Sequence, residues 1–242
     1  MTPEELVTQL KTAIPGRLRS AVLYGSAAAG DFVAGTSNYN VLLVLDRLGV
    51  AELDALAKPA SQWAKAGNRP PLLFTPDQLK SSADFFAIEL LDMRQSHRVL
   101  FGEDPLADIA IDHEHLRRQL ERELQGHLLV LRERYLLTGG KPKRVAELLT
   151  SSVAGFLVLF RAALRLFQEN VPRQKIEAMH LLAQHIPFDP QPLVEIDALK
   201  HGRRKLRDIL PQSLFESYLT TIEQVAKAVD RHLHPQTGDD LP

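Results

Sequence analysis

The first 111 residues alternate short apolar runs with turn residues, a pattern typical of strands mixed with helices. Two of these runs are nearly all apolar, as expected where both faces of a strand are covered. The pair Thr2-Pro3 suits the N-cap and first position of a helix, which Pro15-Gly16 would end. The predicted elements are helices from Pro3 to about Ala13 and over Ala51–Lys65, a short helix capped by Thr75, and strands at Ala21–Tyr24, Asn40–Leu45 and Pro71–Phe74.

Two later segments of this half are compatible with more than one structure. Phe86–Met93 and Arg98–Phe101 are predicted as strands or as pieces that flank the sheet. The sequence Gly102-Glu103-Asp104-Pro105 then predicts a turn.

From about residue 112 the pattern changes to apolar residues three and four positions apart, which marks one face of a helix. The residues on that face are Leu116, Leu120, Leu124, Leu128, Leu131 and Tyr135. A second helix is predicted over Pro142–Asn170, and its apolar stretch Val153–Phe160 is typical of the centre of a bundle. The last helix is predicted at Gln212–His232. The chain therefore reads as an α+β fold: a mixed-sheet domain at 1–111, an all-α helical bundle at 112–234 and a frayed tail at 235–242.

Composition narrows the classes of function. The chain has 242 residues and no cysteine, which excludes disulfides, thiolate metal sites and a cysteine nucleophile. Its net charge of −1 argues against nucleic acid as a partner. The N-terminus lacks the basic and apolar regions of a signal peptide, and Arg161 and Arg165 interrupt the most apolar stretch. We therefore expect a cytoplasmic protein without a membrane partner.

Candidate chemistry is concentrated in residues 23–46, where a strand enters a Gly-Ser turn before the second strand. Gly25 would let the backbone approach a phosphate, and the hydroxyl of Ser26 and nearby amides would donate hydrogen bonds to it. Asn38 and Asn40 are two residues apart, so their side chains should lie on the same side of the second strand. We therefore predict that Ser26, Asn38 and Asn40 face one common pocket.

This stretch resembles the nucleotidyltransferase superfamily of the DNA polymerase β type. Its motif is Gly-Ser, a short loop with a glycine, and then Ser-Asp-x-Asp, which Gly25, Ser26, Gly30 and Ser37 match. The helical half resembles the companion domain of the kanamycin nucleotidyltransferase-like and minimal nucleotidyltransferase branches, and residues 84–106 resemble the joining segment of bacterial relatives. The resemblance implies nucleotide binding, and implies Mg²⁺ only if the site is active.

The chain departs from this motif at the residues that perform the chemistry. Asn38 and Asn40 stand where the family has two metal-binding aspartates, and the strand at Pro71–Phe74 contains no third acid. A unit charge and a divalent ion about 4 Å apart interact by roughly 8 kcal/mol at an effective dielectric constant near 20. Losing half of that at one position would slow a metal-dependent step by on the order of 10³-fold, and the loss applies at each of the two positions. Asp31, on the loop, and the pair Glu89 and Asp92 remain possible carboxylates of the cleft.

Other polar groups carry less information. Arg122 with His127, and Arg173 with His180, have the spacing of a ribonuclease motif, but chance alone predicts about as many matches. The basic cluster His201–Arg207 suits a phosphate or an acidic partner, although a solvated helix face explains it as well. His232 and His234 do not resemble a metal site.

Three hypotheses follow from the sequence. The first is a degenerate, non-catalytic nucleotidyltransferase that binds a nucleotide, another phosphate-bearing ligand or a protein partner in a regulatory role. The second is an active enzyme that transfers a nucleoside monophosphate to a small molecule through an atypical site. The third is an interaction protein whose helical half forms a homodimer.

Overall fold

A computed structural model describes residues 1–29 and 38–231. The contacts within the chain divide it into a first unit, Met1–His115, and a second unit that begins at Leu116. The sequence pattern changes at about residue 112, a few residues before this division. Predictions for Gly30, Asp31, Ser37, His232, His234 and the tail lie outside the described residues.

The first unit contains a four-stranded sheet and five helices within its described residues. Their order is α1 (Pro3–Ala13), β1 (Leu18–Tyr24), α2 (Ser26–Ala29), β2 (Asn40–Leu45), α3 (Val50–Lys65), β3 (Leu72–Phe74), α4 (Pro76–Ser81), α5 (Ala87–Gln95) and β4 (His97–Phe101). The strands lie in the order β3-β2-β1-β4. β1 pairs antiparallel with both β2 and β4, whereas β3 runs parallel to β2, so the sheet is mixed as predicted.

The two faces of the sheet have separate cores. Side chains such as Leu23 and Leu43 pack with Leu6 and Leu10 of α1 and with Trp63 of α3. The alternate residues of the same strands pack on the other face, where the buried partners are Leu79, Leu90, Met93, Leu106 and Ile109. Because both faces are covered, the stretches Ala21–Leu23 of β1 and Val41–Leu45 of β2 are wholly apolar.

The second unit is a bundle of helices, the first of which begins at the end of the first unit. Its elements are α6 (His113–Thr138, which starts in the first unit), α7 (Pro142–Leu164), α8 (Lys175–Leu182), α9 (Gln191–Lys200) and α10 (Pro211–Arg231). α7 packs against α8, α9 and α10 and contributes the largest share of the buried residues. Residues 115–170 contain no strand, as the three- and four-residue periodicity predicts.

α7 is long and apolar enough to cross a membrane by length and composition, with a mean hydropathy of 1.6, and is the one such helix among the described residues. However, 56% of its apolar window is buried inside the protein. This burial is expected of the core helix of a bundle.

Two sequence predictions need correction. The strand alternative for Phe86–Met93 is wrong, because Ala87–Gln95 forms the helix α5, whose residues Ala87, Leu90 and Met93 recur every three positions and are buried. The helix predicted over Pro142–Asn170 ends at Leu164. Beyond it, Arg165 and Leu166 donate to carbonyls three residues back, so the chain tightens into a turn there.

Candidate functional site

The Gly-Ser turn follows the end of β1, one of the two central strands of the sheet. Gly25 has φ +80°, a left-handed conformation that glycine adopts without steric cost. Its N–H donates to the Ser96 carbonyl at 3.0 Å, and its own carbonyl accepts from the N–H groups of Ala28 and Ala29 at 3.0 Å. The turn is therefore held by backbone hydrogen bonds to α2 and to the residue that precedes β4.

Asn40 lies directly against this turn. It is the first residue of β2 and pairs with Tyr24, the last residue of β1. A Cβ added to Gly25 would come within 3.2 Å of Asn40 Nδ2. The half-buried side chain of Asn40 thus occupies the space beside the glycine, so the structure brings together two of the predicted site residues.

The residues on either side of the motif have different surroundings. Tyr39 packs its ring on Trp63, with 6.0 Å between the ring centroids, and its N–H donates to Asn68 Oδ1 at 3.1 Å. Ser26 begins α2 and is exposed, and Asn38 is also exposed. That Ser26 and Asn38 share a pocket with Asn40 stays a prediction.

Sequence reasoning missed two polar residues beside the motif, Tyr24 and Arg69. Burial raises the pKa of the Tyr24 phenol, while the positive charge of Arg69 lowers it and the negative charge of Glu89 raises it further. The charges of both residues therefore act on the phenol of Tyr24, whose backbone pairs with that of Asn40. Arg69 lies in the loop before β3, where its carbonyl accepts a 2.7 Å hydrogen bond from Trp63 Nε1. A polar residue at the end of an otherwise apolar strand was the available signal for Tyr24.

The two carboxylate residues of α5, Glu89 and Asp92, have different surroundings. The half-buried Glu89 acts electrostatically on Tyr24. Asp92, one helical turn further along α5, has a buried Oδ1 atom. Glu89 thus acts electrostatically on the last residue of β1, next to the Gly-Ser turn.

Within the described residues, the side chains near the motif do not form the anionic clamp that Mg²⁺ requires. In the described ranges, 1–29 and 38–231, no three His, Asp or Glu side chains are grouped so that they could hold a metal ion. Asn38 and Asn40 offer neutral amide oxygens where the family has carboxylates. Since hard divalent cations prefer several anionic oxygens, the donor set of these described residues does not fit the metal that the fold family implies.

A separate cavity of about 570 Å³ lies near the opposite end of β1 and β2. Its lining includes Arg19, Ser20, Lys80, Glu103 and Asp108. Of the site residues predicted from the sequence, none of those that the structure describes lines this cavity.

The other candidate polar groups behave as surface or packing residues. His127 packs edge-on against Phe156, with ring centroids 5.7 Å apart, whereas Arg122 is exposed. Within the basic cluster, Arg203 pairs with Asp197, and Arg204 pairs with Glu195 at 3.0 Å. These ion pairs favour the interpretation of the cluster as a solvated surface.

The mixed four-stranded sheet with its Gly-Ser turn, followed by helices, agrees with the nucleotidyltransferase fold that the resemblance implies. The structure is similar to that of a spectinomycin adenyltransferase from Enterococcus faecialis, crystallised with ATP and spectinomycin. The two are 12% identical, with a TM-score of 0.56, and the match covers 95% of this chain and 100% of that chain. At this identity, the similarity shows the fold alone. The sequence matches no protein-family model and no curated protein.

Proposed function

We propose that this protein binds a nucleotide, or another phosphate-bearing ligand, at the Gly25-Ser26 turn, and that it acts as a regulatory binding protein without metal-dependent transfer. One observation carries the proposal: the amide group of Asn40 lies beside Gly25, where the motif has a carboxylate. Gly25, Ser26, Gly30, Ser37, Asn38 and Asn40 are the proposed ligand-binding residues.

The physical argument concerns the sign of the interaction with a phosphate. A carboxylate repels a phosphate unless a metal ion lies between them, so an aspartate site depends on Mg²⁺. An asparagine amide donates two hydrogen bonds and carries no charge. At this position it contacts a phosphate directly, together with the Ser26 hydroxyl.

The fold supports a nucleotide as the ligand. The structurally similar adenyltransferase was crystallised with ATP, and the match extends over nearly all of this chain. We therefore take ATP as the first ligand to test.

Calorimetry with ATP, with and without Mg²⁺, tests the proposal. We expect binding that does not require the metal, together with no turnover. Asn40→Asp should weaken metal-free binding by at least tenfold, because it places an anion beside the phosphates. Asn170→Asp, the same chemical change at an exposed position of the second unit, is the matched control and should leave the affinity unchanged.

Two results would contradict the proposal. Absence of ATP binding under both conditions would favour a protein partner as the ligand instead. Binding that appears only with Mg²⁺ would mean that other residues of the chain supply the missing negative charge.

The second candidate function is transfer of a nucleoside monophosphate to a small molecule. The similarity to an adenyltransferase favours it. In this alternative, Glu89 of α5 is the general base that takes the proton of the acceptor hydroxyl. Radiolabelled ATP and a panel of hydroxyl-bearing acceptors would test it. Mg²⁺-dependent transfer that Glu89→Gln abolishes would establish this function in place of the first.

A further inference from the structure

The helix α6 has two apolar faces. One is buried in the protein and consists of Leu116, Leu120, Leu124, Leu128 and Leu131. On the other, Leu129 is 58% exposed, Val130 42%, and Leu136 and Leu137 each 79%. Isolated exposed apolar residues are ordinary, but a contiguous apolar patch marks an interaction site. We call this second set, together with Arg122, Gly126 and Glu133 on the same side of the helix, the outer face of α6.

A glycine lies in the middle of the outer face. Gly126 is inside the 26-residue helix, where glycine costs about 1 kcal/mol relative to alanine. A Cβ added there would meet nothing within 4 Å, so packing within the chain does not require glycine. A glycine in a helix surface does allow a second helix to approach closely.

We propose that the outer face of α6 pairs antiparallel with the same face of a second copy of this chain. Its residues at 122, 126, 129, 133 and 136 are separated by alternating steps of four and three. This spacing forms a continuous seam along one side of a helix, as in coiled coils. From 122 to 136 the seam is about 21 Å long, at roughly 1.5 Å per residue.

The opposite charges of Arg122 and Glu133 indicate that a second copy of this chain is the partner of the outer face. If the two-fold axis passes between His127 and Leu128, each Arg122 faces Glu133 of the other copy. In the same register, each Gly126 faces Leu129 of the other copy, so the large leucine side chain fills the space that the glycine leaves. The dimer then contains two ion pairs and two such contacts, as an isologous interface requires.

The two registers that differ by one heptad lose this match. A shift by seven residues places Glu133 against Leu129, or Arg122 against Gly126, and forms no ion pair. Helices that bind a membrane surface are rich in Lys and Arg. The seam carries one charge of each sign, which does not fit such a surface. The proposal is independent of the ligand-binding function proposed above.

Sedimentation velocity over a range of protein concentrations tests the dimer. We expect the natural protein to dimerise, and expect Arg122→Glu or Glu133→Arg to raise the dimer dissociation constant at least tenfold, since each creates two like-charge contacts. The double variant should restore most of the affinity, because it re-forms both pairs with reversed sign. Lys143→Glu, a charge reversal at an exposed position of α7, is the matched control and should have no effect.

Gly126→Ala distinguishes an effect on the dimer from an effect on folding. It should raise the thermal stability of the chain, because alanine favours the helix, and at the same time weaken the dimer. Circular dichroism checks that every variant folds. A monomer at every accessible concentration, or a double variant that dimerises no better than the single variants, would overturn the proposal.

Discussion

The contact between Gly25 and Asn40 makes a prediction whose size follows from the structure. Gly25→Ala forces an L-residue to adopt φ +80° and places its Cβ 3.2 Å from Asn40 Nδ2. The left-handed conformation costs roughly 1–2 kcal/mol. Moving the Asn40 side chain from its rotamer adds about 0.5–1.5 kcal/mol. We therefore expect the free energy of unfolding to fall by about 1.5–3.5 kcal/mol.

Gly67→Ala is the matched control for this substitution. Gly67 has φ +86°, but a Cβ there would meet nothing within 4 Å. It should therefore show the cost of the backbone conformation alone. The difference between the two variants isolates the contact with Asn40.

Urea denaturation followed by tryptophan fluorescence is the appropriate assay. Trp63 is the one tryptophan of the chain, and it is fully buried in the first unit. Repeating both substitutions in an Asn40→Ala background completes a double-mutant cycle. In that background Gly25→Ala should cost no more than Gly67→Ala. If the two substitutions cost the same in both backgrounds, Asn40 does not pack against Gly25, and the proposed site geometry is wrong.

Three further predictions concern the framework around the site. Gly102→Ala should prevent folding of the first unit or destabilise it by more than about 3 kcal/mol, because its Cβ would lie 1.9 Å from the Arg19 carbonyl oxygen; expression and circular dichroism will show this. Hydrogen bonding from Arg47 holds the pKa of Glu52 below its usual range, so stability should fall as the pH drops through the lowered pKa, and Glu52→Gln should flatten that decline in acid denaturation. Burial raises the pKa of Tyr218, so stability should fall as the pH rises above about 10, where the unfolded phenol ionises, and Tyr218→Phe should remove this dependence in urea titrations at alkaline pH.

Local chemistry explains why much of the fold was predictable. Thr2 accepts from the Glu5 N–H and Glu5 accepts from the Thr2 N–H, so the start of α1 is determined within four residues. The strand β2 spans Asn40–Leu45 as predicted. A strand that is covered on both faces is a nearly continuous apolar run, and this run marks its position in the sequence. The helix α5 was harder, since its short apolar run fits either a strand or a buried helix until the packing partners are known.

The candidate site was less predictable than the fold. Gly25 and Asn40 are fifteen residues apart in sequence, and their proximity follows from the antiparallel pairing that the motif implies. The sequence marks Glu89 as a candidate carboxylate of the cleft, whereas Arg69 comes from a loop that gives no local signal of its role. Only the folded chain brings their charges to Tyr24.

The hydrogen bond from the Gly25 N–H to Ser96 has a practical consequence for following the site in solution. Since this amide extends the pairing of β1 with β4 by one step, it should exchange with deuterated solvent far more slowly than an ordinary turn amide. Its nuclear magnetic resonance signal then reports directly on whether the turn is formed. A ligand that docks on an already formed turn should leave this exchange rate nearly unchanged while it shifts the resonance.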